Sequence, residues 1–168
     1  MLYPEEKTDM IPADEKLILI HQKAADRVEI ITRLADLMKA QGYVGPMYLK
    51  EVLSREKDYP TGLPSEGVTV AIPHAASADV TRTGLAIAVM DEPVSFFSME
   101  DRNETLQVEI VFLLANASGA DAHLDNLQEL MNCMSSSRLL CAVKSADTPA
   151  AVAAVLKNAD IWLQEENS

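Results

Sequence analysis

Cysteine, aromatic residues and basic charge are all scarce in this chain, and each scarcity removes a class of protein. Two cysteines, Cys133 and Cys141, cannot build a disulfide framework, and neither sits in a C-x-x-C pair or at metal-ligand spacing from a histidine. Both stand among apolar neighbours and read as reduced core side chains. One Trp, three Phe and four Tyr contribute little to an apolar fraction of 48%. The rest is Ala, Val, Leu, Ile and Met, which suits helices alternating with buried strands better than an all-β sandwich. Lys and Arg number 14 against 26 Asp and Glu, a formal net charge of −12. Such a surface repels a phosphate backbone, which excludes nucleic acid as a partner. The same charge favours solubility and can steer the chain toward a basic protein. No apolar run approaches the ~20 residues that span a bilayer. The opening residues MLYPEEKTDMIPADEK are acidic and interrupted by proline, unlike a signal peptide. A cytoplasmic location without direct membrane insertion is expected, and no side-chain pattern calls for a metal or a cofactor.

What is present fits one domain of ordinary size, 168 residues with a core large enough to need no staples. Residues 1–15 read as an N-terminal extension and residues 16–168 as the domain. Leu17 to Ile20 is a short apolar run, a candidate buried strand. Asp26 with Glu29 resembles a capping box. It opens a helix whose stripe is Val28, Ile31, Leu34, Leu37 and Met38, with Gly42 as a left-handed stop. A second helix is expected from Pro46 to about Lys57. The segment Tyr59-Pro60-Thr61-Gly62-Leu63-Pro64 is a rigid turn-rich loop. Val68 to Ile72, Gly84 to Met90 and Val108 to Leu114 read as strands apolar on both faces, the first ended by Pro73. Helical spacing returns at Leu124, Leu127, Leu130, Met131 and Met134. A short helical turn over Leu139 to Val143 follows, and Thr148-Pro149 caps a last helix carrying Val152, Val155, Leu156 and Leu163. The sum is an α/β domain with a mixed, mostly parallel central sheet flanked by helices on both faces.

One place combines a reactive side chain with enforced geometry: Val70-Ala71-Ile72-Pro73-His74-Ala75-Ala76. A strand end opening into small residues presents an imidazole at the edge of the sheet, exposed and with room beside it, where open α/β sheets carry their ligands. Neutral imidazole is a nucleophile near pH 7 and could accept a phosphoryl group. Taken alone, His74 could equally be a polar residue closing a strand. Arg55, in Leu53-Ser54-Arg55-Glu56, could neutralise the oxygens of a transferring phosphoryl group. The commoner fate of such a residue is an exposed pairing with Glu51 or Glu56. His123 stands at the start of a helix, where unpaired N–H groups suit an anion; by itself it reads more simply as a surface residue. His21 has nothing around it to recommend it and is assigned a structural role.

Four features fall together in one order. They are Ser54-Arg55-Glu56, the Tyr59-Pro60-Thr61-Gly62-Leu63 loop, the Ile72-Pro73-His74 turn, and His123-Leu124-x-x-Leu127-x-x-Leu130. From about Leu17 to Leu163 the chain resembles the EIIA component of the mannitol/fructose class of the sugar phosphotransferase system. The loop looks most similar to galactitol-type EIIA proteins. The resemblance implies a phosphotransferase component in which His74 is phosphorylated and Arg55 and His123 assist from the same pocket. It implies that phosphate arrives from the phosphocarrier HPr and leaves to a cysteine of EIIB, with uptake of a galactitol- or fructose-like sugar by the membrane component EIIC. A regulator of the nitrogen-type EIIA kind, acting by phosphorylation-dependent protein binding, is the other reading. The chain departs from the family pattern at Ala75, where relatives often carry Gly or Cys.

Overall fold

The computed structural model describes residues 13–65, 67–117, 128–159 and 161–162. Five strands, β1 (Ile18–Gln22), β2 (Gly62–Leu63), β3 (Val70–Ala71), β4 (Gly84–Phe97) and β5 (Thr105–Ala115), form one sheet in the order β1-β4-β5-β3-β2. The helices are α1 (Arg27–Ala40), α2 (Tyr48–Asp58), α3 (helical over residues 128–134), α4 (Ser137–Ser145) and α5 (Pro149–Lys157).

Local chemistry sets several boundaries where the sequence puts them. The Asp26 carboxylate accepts the Glu29 amide at 2.9 Å, while Glu29 reaches back to the Ala25 amide at 2.8 Å. Two orphan N–H groups at the start of α1 are thereby satisfied. Gly42, at φ +81°, takes the left-handed turn after α1. Thr148 caps α5 through the Ala151 amide at 3.0 Å, with Pro149 in the first turn.

Elsewhere long-range contacts move the boundaries. A 3-10 turn over Glu15–Leu17, capped by Asp14, precedes β1, which therefore starts at Ile18. α2 begins at Tyr48 rather than Pro46 because residues 45–47 are engaged by Asp79. Its carbonyl accepts the Gly45 amide at 2.8 Å and its carboxylate the Met47 amide at 2.6 Å. β3 keeps only two residues of the run Val68 to Ile72. β4 runs seven residues past Met90, with a register irregularity between Val89 and Val94 that accommodates Pro93. In that second half Val94 and Phe96 point inward and Glu92 and Ser95 outward, so one face is solvated. α4 is a full nine-residue helix rather than a turn, its Leu139 amide capped by Ser136.

The sheet is mixed, but its parallel share is half rather than most. β1–β4 and β3–β5 are parallel, whereas β2–β3 and the long β4–β5 hairpin are antiparallel. Helices cover both faces. α1 and α2 bring Ile30, Leu34, Met38, Tyr48 and Val52 against Ala71, Ala86, Ala88, Val111 and Leu113. α3, α4 and α5 bring Leu130, Leu139, Leu140, Val152 and Leu156 against Val70, Leu85, Ile87, Ile110 and Phe112. Strand alternation sorts the two sets. Cys133 is buried in the second core, but Cys141 lies on the outer side of α4 and is exposed, contrary to its apolar context. Among the described residues no helix is long and apolar enough to cross a membrane.

Candidate functional site

His74 lies just beyond β3, where a parallel bridge to Leu114 joins it to the carboxyl end of β5. The Leu114 amide donates to the Pro73 carbonyl at 3.1 Å, so the ladder continues past the proline, whose own nitrogen has nothing to donate. The tip of this ladder is tied to the helical layer as well. Tyr48 of α2 crosses the core to place its buried hydroxyl 2.6 Å from the Leu114 carbonyl.

His74 is not exposed, as a strand-end position suggested, but only 6% accessible. Its ring folds back on the chain, with Nδ1 2.8 Å from the Ile72 carbonyl. A carbonyl only accepts, so in the neutral ring Nδ1 carries the proton and Nε2 the lone pair.

The residues that follow it help line a cavity of about 430 Å³, although His74 itself is not a lining residue. Its floor is Ala75 and Ala76. Its wall is the outer face of α2, with Met47, Lys50, Glu51, Ser54 and Arg55 at helical spacing, and Tyr59 beyond it. Arg55 is exposed and stacks on Tyr59, its guanidinium 5.2 Å from the ring centre. Neither Glu51 nor Glu56 forms an ion pair with it. Glu51 instead accepts the Ser77 hydroxyl at 2.9 Å, which ties the segment after His74 to α2. Two cations, Lys50 and Arg55, therefore border a cavity floored by small residues, an arrangement suited to a small anion.

Behind Arg55 lies a group that the sequence reading missed. Glu56 is 4% exposed, and both carboxylate oxygens are used by Thr61: its amide donates at 2.9 Å and its hydroxyl at 2.7 Å. Burial pushes Glu56 up to about 7. The two Thr61 hydrogen bonds and the charges of Arg27 and Arg55 oppose that rise. The signal was available in the helix period: Tyr48, Val52 and Glu56 are the buried positions of α2, so a carboxyl group occupies a core-facing place. Lys50 was also missed. Its only sequence signal is its position one turn before Ser54 and Arg55 on the same face.

The structure thus places Arg55 on the cavity, whose lining takes in Ala75 and Ala76 directly after His74 but not His74 itself, while His123 lies outside the described residues. His21 is remote in character, exposed on β1 at φ 55° with its ring 3.0 Å from Asp91. Among the described residues no group of three His, Cys, Asp or Glu side chains could hold a metal ion.

The family model described as "Phosphoenolpyruvate-dependent sugar phosphotransferase system, EIIA 2" matches residues 12–159. The transcriptional regulator ManR of Bacillus subtilis is 34% identical over 99 residues, 59% of this chain and 14% of the regulator. The mannitol-specific EIICBA component of Escherichia coli is 27% identical over 135 residues, 79% of this chain and 20% of that protein. The chain therefore spans a fifth or less of the length of these two relatives. A solved complex of the mannitol enzyme IIA with phosphorylated enzyme IIB from Escherichia coli superposes with a TM-score of 0.72. The identity there is 22%, covering 88% of this chain and 99% of the matched one. By a family match across nearly all of its described sheet and helices, the chain belongs to the EIIA 2 family of the phosphoenolpyruvate-dependent sugar phosphotransferase system.

Proposed function

We propose that this chain is a phosphoryl carrier, with the domain at residues 16–168. His74 takes phosphate from the phosphohistidine of HPr and passes it to a cysteine of EIIB. The observation that carries this reading is the His74 ring, held through Nδ1 by the Ile72 carbonyl and followed directly by Ala75 and Ala76, which line a cavity with Lys50 and Arg55. In the first step the Nε2 lone pair attacks phosphorus in line. The N–P bond of phospho-HPr breaks, and its electron pair returns to the donor's ring nitrogen. In the second step a cysteine thiolate of EIIB attacks the phosphorus on His74, and the pair returns to Nε2. Phosphoryl transfer is mostly positioning and charge neutralisation, which the guanidinium of Arg55 and the ammonium of Lys50 supply to the equatorial oxygens. His123, six residues past Ala117, is assigned as the second histidine of the site. Which sugar is served is a property of the membrane component EIIC.

A second reading is favoured by the 34% identity to ManR: the same phosphorylated histidine on a regulatory protein, with the signal read by protein binding. Both readings require His74 to accept phosphate, and they part at the acceptor. Intact-mass analysis after incubation with phosphoenolpyruvate, enzyme I and HPr is expected to show one acid-labile phosphate on the wild type and none on His74→Ala. Adding EIIB then discharges the label if the transport reading holds and leaves it in place if the regulatory one does. A wild type that takes no phosphate from competent phospho-HPr would sink both.

A further inference from the structure

β3 has two residues, Val70 and Ala71, and His74 comes three positions after it. So short a strand has little ladder of its own, and its placement depends on its neighbours. On one side is β5. On the other is the Tyr59–Leu63 segment, where Gly62 pairs with Ala71 and Leu63 with Val70. That segment is fixed from outside. The Met99 amide donates to the Gly62 carbonyl at 2.8 Å, and Gly62 lies so close to β4 that an added Cβ would stand 2.6 Å from the Phe97 carbonyl oxygen.

From this segment a continuous set of hydrogen bonds leads to the imidazole. Glu56 accepts from both the amide and the hydroxyl of Thr61. The Thr61 carbonyl accepts the Ile72 amide at 3.3 Å. The Ile72 carbonyl accepts His74 Nδ1 at 2.8 Å. We propose that Glu56 is a positioning residue for His74, fixing the Ile72 carbonyl through Thr61 and thereby the orientation and tautomer of the ring. The proposal rests on His74 being the phosphate acceptor for its kinetic consequence, though not for its structural one.

Placement explains why a carboxyl group is kept at a core-facing position of α2. An apolar side chain would pack there but would leave the Thr61 amide and hydroxyl buried without acceptors. Two cations face Glu56, Arg27 from α1 and Arg55 from its own helix, and Thr61 faces it from the loop. Because burial raises Glu56 toward neutrality, glutamine is its close copy. The amide oxygen takes the Thr61 N–H, and the amide nitrogen donates to the hydroxyl oxygen, which can rotate to accept.

The test is a comparison of wild type, Glu56→Gln, Glu56→Ala and Thr61→Val by two readouts. The first is the ¹⁵N shifts of the His74 ring, which report the tautomer without any phosphate present. The second is the rate of phosphate uptake from phospho-HPr. Wild type and Glu56→Gln are expected to hold the proton on Nδ1. Glu56→Ala is expected to populate the Nε2–H form and to slow uptake by about tenfold to a hundredfold, the range that small misplacements of a reacting group produce. Thr61→Val keeps the backbone bond and loses the hydroxyl one, so a smaller change of the same sign is expected. It serves as the test if the alanine variant does not fold. A folded Glu56→Ala or Thr61→Val protein with the wild-type tautomer and rate overturns the proposal, as does a Glu56→Gln protein no better than Glu56→Ala. If wild type takes up no phosphate, the carrier reading fails on its own, and the tautomer shifts still decide whether Glu56 positions the ring.

Discussion

At Glu56 the ionised and neutral forms of one side chain are valued differently by the folded and unfolded chain. Burial raises its folded-state value to about 7 from the ordinary 4.5, so between those limits the folded protein binds a proton that the unfolded chain releases. The stabilisation from this group is complete below about pH 4.5 and is lost as pH rises through 7. The difference is on the order of 3 kcal/mol. Urea unfolding of wild type at pH 5 and pH 8 should therefore show a fall that Glu56→Gln, which cannot titrate, largely lacks. Equal pH dependence in the two proteins would mean that Glu56 titrates normally. At this scale the site was partly legible. His74 and Arg55 each have an ordinary structural reading when taken alone, and only the resemblance of their runs to a known family singles them out. Glu56 is a charged residue next to an exposed arginine, and only the period of Tyr48, Val52 and Glu56 puts it on the buried stripe of α2. The burial of His74 could not be read, because it comes from the bridge to Leu114 and the turn back to Ile72, both products of tertiary structure.

Elements divide in the same way between local and distant causes. The starts of α1 and α5 and the stop at Gly42 are set by side chains within three residues, and the sequence shows them. The start of α2 is set by Asp79, more than thirty residues away, and β3 is trimmed by partners on both of its sides. No local pattern carries that information. Asp79 is itself oriented by its amide's bond to Ser77 Oγ at 3.0 Å, and Ser77 is bound to Glu51 of α2. The segment after His74 and the entry to α2 are thus one hydrogen-bonded unit. Asp79→Ala removes the acceptor of the Met47 amide, and a loss of about 1 kcal/mol is expected, the usual effect of deleting a helix-entry acceptor. Gly45→Ala should act through the same contact, since its Cβ would stand on the Asp79 carboxylate, 2.3 Å from Oδ1. Because both substitutions attack one interaction, the double variant is expected to lose little more than either single one in urea unfolding. A double loss equal to the sum would show that the Asp79 contact is not what Gly45 protects.

Over the whole molecule the sheet separates two cores that share strands but not side-chain partners. Ile31 of α1 belongs to one and Ile87 of β4 to the other. Ile31→Val and Ile87→Val should each cost about 0.5–1.5 kcal/mol. Since the sheet backbone lies between them, the double variant should equal their sum to within about 0.5 kcal/mol. Ile87 and Phe112 are directly opposed in the β4–β5 ladder and lie in the same core. Ile87→Val with Phe112→Leu is therefore expected to depart from additivity by about 0.5 kcal/mol or more. Chemical denaturation of the six proteins checks both statements. The denaturant slope should also stay constant, because two cores built on the faces of one sheet unfold together. A second transition, or a slope that falls when one face is weakened, would mean that one helical layer detaches while the other holds. The cavity lined by Ala75 and Ala76 is walled by α2, which packs on α1, so loosening of that layer alone should slow phosphate uptake, while weakening of the α3–α5 face should leave it nearly unchanged.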